Sequence, residues 1–571
     1  MKKRTDIWND LKRNGACDVL ILGGGVNGAG LIRDLALQGV SCILVDKDDF
    51  SAGASSKSSR MIHGGLRYLE NAEFKLVRES VAERNRLLRT APHFVRPLKT
   101  SIPIDSWFAG LVKSPMIFLG LPVKVGGRGA LIVKMGLTFY DFITRKRRQT
   151  PHHYLLSKDK SLREIPGLRA NIACTATYWD AWISQAERLC IEMIEEACRE
   201  NAACRAINYI TAARVAWASC PCAGGPTTTA DAIILTDQAT GEQITVRPKA
   251  VVNATGAWVD FANRTLGIAS HFMGGTKGSH LVIDNKPLYD ALGDRMVYYE
   301  HTDGRVCIVF RFMDKIIMGS TDIRIENPDD AECDEAEVDY MMTTLRGVFP
   351  GLTLSKDDIV FRFCGVRPLL ASGLDYTSRV SRAHRLEITP PDVDRTFTVY
   401  SMIGGKLTTF RAFAEQTADK ILTQLGKTRA VSTEERPYIG AAGYPTNDAA
   451  KQTWINRVAA ANNLPPERVA TLLDRYGTIA ETIASRPAAD HTPLSTLPDY
   501  SVGEIKYIAE NECIQHLTDL TRRRSIITLT GKANPQTLKE LAQITGQTLE
   551  WPHDRQEKEI QQATEEATNG R

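Results

Sequence analysis

One stretch near the N-terminus restricts the fold more than any other. Asp18–Gly39 reads DVLILGGGVNGAGLIRDLALQG, and Ser41–Asp46 follows as SCILVD. Val19–Leu22 has the length and apolar density of a buried strand. Gly23, Gly25 and Gly28 come next in G-x-G-x-x-G spacing, and Leu31, Leu35 and Leu37 continue on a helical pattern. A second apolar strand ends in Asp46. A β-turn-α-β unit of about 30 residues calls for a parallel sheet covered by helices, so the chain reads as α/β. In that context the glycines predict a dinucleotide site. The first makes the tight turn, the second lets the backbone approach a pyrophosphate, and the third lets helix and strand pack closely. The helix N-terminus offers free N–H groups and a positive dipole end. Asp46 is placed to accept hydrogen bonds from a ribose diol.

A chain of 571 residues has room for two to four domains at roughly 100–200 residues each. Its 43% hydrophobic and 24% charged residues suit a soluble globular protein. A net charge of +4 is too mild to predict a nucleic-acid partner, and it permits contact with an anionic membrane. The 12 cysteines lack a metal-site spacing. Cys220 and Cys222 form a CPC with no matching second half, so no metal is expected and the thiols read as reduced in a cytosolic chain. The basic N-terminus runs straight into the glycine cluster, without the h-region and cleavage site of a signal peptide. No window holds 18 uncharged apolar residues, and SPMIFLGLPV (Ser114–Val123) is far too short to span a bilayer.

Further along, Phe74–Arg89 reads as an amphipathic helix with Phe74, Val77, Val81 and Leu88 on one face. Trp107–Tyr140, rich in Gly, Pro and bulky apolar residues, is either a loop packed on the core or a surface patch that dips into lipid. Ile183–Arg199 reads as a helix whose charge comes mostly from Glu187, Glu192, Glu195 and Glu196. Ala232–Leu235, Ile244–Val246, Val306–Phe310 and Lys315–Met318 read as strands and suggest an inserted antiparallel sheet. Residues 1–430 are thus a dinucleotide domain with interleaved substrate-binding segments. Residues 431–555 form a helical C-terminal domain, with Asn456–Ala484 and Val502–Arg523 helical. The polar, charged residues 556–571 read as a mobile tail.

Two later elements favour FAD over NAD. VVNATG (Val251–Gly256) returns to the sheet on a small-residue turn that includes Thr255 and Gly256, as expected where the chain passes the cofactor again. IGGKLTT (Ile403–Thr409) is a second glycine-to-helix step. There the N–H groups of Gly404, Gly405, Leu407 and Thr408, with Lys406, are placed to stabilise negative charge on a reduced flavin.

Several motifs carry a resemblance to a known family. SSxSSR-x-IHGGLRYLE (Ser55–Glu70), VNATGAWV (Val252–Val259), KGSH (Lys277–His280), GSTD (Gly319–Asp322), GVRP (Gly365–Pro368) and IGGKLTT resemble those of the FAD-dependent glycerol-3-phosphate dehydrogenases. The similarity runs in order from about Asp18 to about Leu529. It implies an FAD-binding Rossmann-like domain of the glutathione-reductase/D-amino-acid-oxidase type, an inserted antiparallel-sheet substrate domain and a helical C-terminal domain. It also implies oxidation of sn-glycerol 3-phosphate to dihydroxyacetone phosphate, with electrons passed to a membrane quinone or, in some members, to oxygen. Carried onto this sequence, Ser55, Ser56, Ser58, Ser59 and Arg60 lie along the flavin, and Arg67, Arg367 and Arg382 are partners for the substrate phosphate. Trp107–Gly136 is longer and more apolar than the simplest members have, and Ser320 stands where threonine is commoner. A four-carbon polyol phosphate therefore stays open as the substrate.

The implied chemistry assigns further roles. Gly64 and Gly65 let the backbone lie against the flavin ring, and Arg67 can fork onto phosphate oxygens. A histidine is the default general base for a secondary alcohol. His63 is the first choice, with flavin packing as its alternative role, and His384 and His280 follow. Arg367 and Lys406 are placed to lower the alcohol's pKa electrostatically. His152 and His153 lie in a polar loop. The expected location is cytoplasmic, peripheral on the inner face of the cytoplasmic membrane, and a homodimer is left open.

Overall fold

The structure, a computed structural model, describes residues 3–66, 73–109, 129–144, 149–214, 232–300, 304–371, 383–392 and 395–570. Ala16–Leu22 lies at the centre of the first sheet, in parallel with Cys42–Val45 on one side and Gln243–Asn253 on the other. Thr398–Ile403 adds in parallel beyond Gln243–Asn253, and Arg205–Ile207 beyond Cys42–Val45. The strands run apolar because both faces are covered. Val19 and Ile21 face a core shared with the helices Val26–Leu37, Ala186–Glu200 and Phe410–Gln424. Leu20 and Leu22 face the opposite way, toward Ile7, Trp8 and Leu11 of the N-terminal helix, as the two-residue period of a strand demands.

The second sheet is largely antiparallel. Thr276–Ile283 pairs with Lys315–Gly319 and with Ile359–Arg367. Val306–Phe312 and Arg295–Glu300 extend it, and Val95–Ile104 and Cys174–Ile183 complete that run. Helix Glu335–Val348 covers one face with Val338, Met341, Met342 and Leu345. An Asp334–Glu337 capping box starts it, satisfying two N–H groups reciprocally.

Two expectations need correction. Ile233–Asp237 and the start of Gln243–Asn253 do not join the inserted sheet. They pair with each other, and Ile233–Asp237 also pairs with Ile210–Arg214, as an antiparallel extension of the nucleotide-type sheet. Only the segments around Val306–Phe310 and Lys315–Met318 belong to the large antiparallel sheet. Residues 556–571 read as a tail, yet His553–Asn569 is a helix. Ala563 and Ala567 bury against Leu517, Leu541 and Trp551, and the backbone of Gly570 reaches the strand Ile359–Arg367 through the Arg362 N–H. Small residues make that close approach at little apolar cost, which is why the hydrophobic pattern hides it.

Trp107–Tyr140 falls partly outside the described residues. Within them, Ala130–Thr144 is a helix. Its Leu137 and Tyr140 are buried, whereas Met135 is 64% and Phe142 57% exposed.

Candidate active site

The glycine turn is tight in the way its spacing predicts. Gly23 has φ +102°, and a Cβ there would lie 2.7 Å from the Ala254 carbonyl oxygen. A Cβ on Gly28 would lie 1.9 Å from the Gly23 oxygen. The Gly24 N–H donates to Asp46 Oδ2 at 2.7 Å and the Val26 N–H to Ser55 Oγ at 2.9 Å. Burial pushes the Asp46 carboxyl up to about 7. Gly25 is the N-cap of Val26–Leu37, whose first turn supplies amides with no intrahelical acceptor.

Remote segments meet at this helix end. Asn27 Nδ2 donates to the Gly404 oxygen at 3.2 Å, while its Oδ1 is buried without a partner. Gly405 has φ +103° and a Cβ there would sit 3.0 Å from Asn27 Nδ2. Asn253, Thr255 and Gly256 end the neighbouring strand, with the Thr255 hydroxyl donating to Asn253 Oδ1 at 2.7 Å. A Cβ on Gly404 would lie 3.5 Å from the Pro368 oxygen and 3.7 Å from the His384 Cα. The end of strand Ile359–Arg367 therefore lies beside the second glycine step. Leu407 packs on the nucleotide-sheet core, and the Thr408 hydroxyl accepts the His63 N–H at 3.2 Å.

Within the stretch from Ser55 to Gly65, Met61–Ile62 pairs with Cys174–Ile183 of the second sheet. Ser56 Oγ donates to the Gly53 oxygen at 3.2 Å, and Ser58 Oγ accepts the Arg60 N–H at 3.2 Å. Ser59 Oγ lies 2.7 Å from His280 Nε2. The Arg60 side chain points away from the glycines. It is buried, forks onto Glu187 at 2.5 and 3.1 Å, and donates to the Ser184 oxygen. Its guanidinium is thus engaged by Glu187 and Ser184.

Gly64 is held by residues that the sequence did not single out. Its N–H donates to Asp180 Oδ1 at 2.8 Å. Asp180 in turn is bound by Arg84 Nη1 at 2.9 Å and by the Tyr140 hydroxyl at 3.2 Å.

Arg367 and His280 lie on the adjacent strands Ile359–Arg367 and Thr276–Ile283. Arg367 donates to Asp322 Oδ1 at 3.1 Å, to Ser320 Oγ at 2.7 Å and to the Thr321 oxygen at 3.0 Å. A Cβ on Gly278 would meet its Nη2 at 2.2 Å. His280 stacks on Phe363 with ring centroids 4.9 Å apart. Burial, reinforced by the Arg367 charge, pulls its pKa down to about 3. It is neutral at physiological pH, as a proton acceptor must be.

On the other side, Lys406 Nζ lies 3.3 Å from Ser80 Oγ. His384 is 3.0 Å from Gln416 Oε1, 3.5 Å from Glu79 Oε1, and stacked on Phe413. Those side-chain partners turn His384 toward the helix Phe410–Gln424. His63 is half-buried beside Thr408. Arg67 and Arg382 lie outside the described residues. His152 and His153 share Asp141 and stand apart from the rest.

A family model described as FAD dependent oxidoreductase matches residues 18–420. One described as the C-terminal domain of alpha-glycerophosphate oxidase matches residues 431–556. The chain is 31% identical to a glycerol-3-phosphate dehydrogenase of Synechocystis, over 96% of each chain. The chain belongs to the FAD-dependent glycerol-3-phosphate dehydrogenase family. A D-erythritol 1-phosphate dehydrogenase of Brucella abortus is 29% identical over 89% of this chain and 94% of that one. The glycerol-3-phosphate dehydrogenase from Bacillus halodurans, solved with FAD, superposes with a TM-score of 0.75 at 22% identity, covering 100% of this chain and 98% of that one. The family's cofactor, FAD, is therefore the cofactor of this protein. The glycine turn and the helix amides fit its pyrophosphate, and the unpartnered Asn27 oxygen and the half-buried Asp46 suit sugar hydroxyl donors.

Proposed function

We propose that this flavoprotein oxidises sn-glycerol 3-phosphate to dihydroxyacetone phosphate and passes the electrons to a membrane quinone. The observation that carries the reading is the placing of Arg367 and a neutral His280 on paired strands, beside Ser59 and the Gly404–Lys406 step. When bound, FAD supplies a hydride acceptor. Gly23, Gly25, Gly28 and Asp46 hold its adenosine and pyrophosphate end. Ser55, Ser56, Ser58, Ser59, His63, Gly64, Gly65, Thr255, Gly256 and Gly404–Thr408 line the rest, and Arg60 contributes its backbone. Arg367, with Arg67 and Arg382, receives the phosphate dianion, for which a guanidinium fork suits better than an ammonium. His63 takes the hydroxyl proton, and His280 or His384 is the alternative base. Lys406 and Arg367 stabilise the developing alkoxide.

A membrane-facing side supports the quinone reading. Leu131, Met135, Phe139 and Phe142 form one exposed stripe on the helix Ala130–Thr144, spaced as one helical face requires. Phe74 meets Phe139 edge-on at 5.7 Å, and Phe108 nearby is 70% exposed. Among the described residues no helix is long and apolar enough to cross a membrane. A stripe of this kind lies on a bilayer, and Lys134 within it suits anionic headgroups.

A second reading, a four-carbon polyol phosphate as substrate, is favoured by the likeness to the Brucella abortus enzyme. Anaerobic mixing of the purified holoenzyme with glycerol 3-phosphate and erythritol phosphates, while flavin absorbance is followed, decides between them. Bleaching by neither excludes both. Oxygen uptake without added quinone would make the protein an oxidase. Sedimentation with anionic vesicles, lost in Phe139→Asp, tests the membrane face.

A further inference from the structure

Away from the crevice, a buried ionic cluster joins the nucleotide-type sheet to the helical C-terminal domain. Asp49, three residues after Asp46, is fully buried. Arg524 forks onto it at 2.6 and 2.8 Å, and Arg523 Nε reaches it at 2.5 Å. Both arginines come from the helical C-terminal domain. Burial alone would raise the Asp49 carboxyl, but the Arg524 and Arg523 guanidiniums hold it below the usual carboxylate range. Asn208 Nδ2 ties the same carboxylate, at 2.8 Å, to the Cys513 oxygen at 3.0 Å.

What this cluster grips is the acid-bearing turn. Phe50 fills the space over Gly24, where a Cβ would meet its ring at 2.4 Å. The Ser51 N–H donates to the Gly24 oxygen at 3.2 Å. The Ile210 N–H donates to the Asp46 oxygen at 2.7 Å, and the Tyr209 N–H to the Asp48 oxygen at 3.0 Å. Tyr209 in turn donates through its hydroxyl to Asp519, at 2.6 Å, beside Arg523. Ser51 and Tyr209 both hold left-handed backbone, φ +65° and +58°, which non-glycine residues keep only where their surroundings impose it. The Arg524 backbone is anchored too, its oxygen accepting from Arg188 Nη1 at 3.1 Å.

We propose that Arg523 and Arg524 are positioning residues for the cofactor: through Asp49 the C-terminal domain holds the Asp46 turn and Gly24 in the conformation that retains FAD. This rests on the reading that the Gly23–Asp46 turn holds the adenosine end of FAD. The helical domain thereby has a task in cofactor retention besides completing the fold.

The test is the FAD dissociation constant, from titration of apoprotein followed by flavin fluorescence, beside circular dichroism and thermal unfolding of the same apoproteins. Arg524→Met and Arg523→Gln are compared with Asp46→Ala as a reference. The expected result is a native spectrum with FAD binding weakened about tenfold in each arginine variant. Asp49→Asn in the Arg524→Met background, which removes the stranded charge, recovers part of the loss. Where Arg524→Met does not fold, Arg523→Gln, which leaves the Arg524 fork on Asp49 in place, carries the comparison. Lower apoprotein stability with unchanged FAD binding, while Asp46→Ala weakens it, overturns the proposal. Unchanged binding in Asp46→Ala as well refutes the underlying reading of the turn.

Discussion

Gly64→Ala is the sharpest probe of the site's geometry. A methyl group at Gly64 would lie 1.9 Å from the Tyr140 hydroxyl oxygen, and 2.8 Å from both Tyr140 Cζ and Val81 Cγ2. Ordinary contact begins near 3.4 Å, so the hydroxyl must retreat by about 1.5 Å. It has little freedom to do so. It accepts from Arg84 Nη1 at 2.7 Å and donates to Asp180 at 3.2 Å, and Tyr140 is buried. Overpacking costs about 1–3 kcal/mol, and displaced hydrogen bonds to charged partners add about 1.5–3 kcal/mol. Gly64→Ala should therefore lose roughly 2.5–6 kcal/mol, read as an earlier denaturant midpoint of the flavin-bound unit. Flavin fluorescence should change with it, since the Gly64 N–H donor to Asp180 shifts. Tyr140→Phe in the same background removes the clashing oxygen. The double variant should then be more stable than the sum of the two single changes predicts. A Gly64→Ala protein that unfolds like wild type, or a strictly additive double variant, would refute the packing argument.

Arg367→Ala should keep bound flavin and lose about 3 kcal/mol of transition-state binding, roughly 100-fold in kcat/KM for the polyol phosphate, with Arg367→Lys recovering only part; normal steady-state kinetics would remove Arg367 from the phosphate site. Lys406→Met should slow flavin reduction in stopped flow about 100-fold while FAD stays bound, and an unchanged rate would deny it the electrostatic role. His280 has a folded pKa of about 3 against about 6.5 unfolded. Its contribution to stability is therefore present above pH 6.5 and lost as pH falls from there toward 3, because only the unfolded chain takes up the proton. His280→Gln should remove up to about 1.4 kcal/mol per pH unit from that acid limb, and identical limbs in denaturant titrations of the two proteins would contradict a neutral buried His280.

The parallel sheet was readable because its strands are buried on both faces and must run apolar; Val19–Leu22 carries that signal without help from the rest of the chain. The partner of Ile233–Asp237 was not. Its alternation says that a strand exists with one face in and one out, and pairing is decided by Ile210–Arg214, whose own run is short and bland. The terminal helix hid for another reason. Its buried face is Glu559, Ala563 and Ala567, with Gly570 just beyond, and a carboxylate with small residues leaves little hydrophobic period.

The site divided along similar lines. Glycines announce themselves because a backbone stripped of Cβ serves close approach or left-handed φ and little else. Gly23, Gly28, Gly64 and Gly405 each sit where a Cβ would collide or approach closely. Arg84, Tyr140 and Asp180 could not be grouped from spacing, since they share one hydrogen-bond network only after three separate elements have folded. The helix Ala186–Glu200 shows the limit most clearly. Glu187, Glu192 and Glu196 have the spacing of a charged helix, yet each is buried against a cation or histidine from elsewhere: Glu187 on Arg60, Glu192 on His93, Glu196 on Arg33. Arg188, between them, forks onto Glu512 of the C-terminal domain at 2.8 and 2.9 Å. Desolvation offsets most of the Coulomb attraction in such pairs, so they add little net stability, but removing one partner strands the other. The helix is thereby restricted to one orientation between the stretch that carries Arg60 and the domain that carries Arg524. The carboxylate that turns Arg60 away from the crevice and the arginine that anchors the Arg524 backbone are successive residues, Glu187 and Arg188. The orientation of the Arg60 side chain and the anchor of the Arg524 backbone are set by the same helical turn.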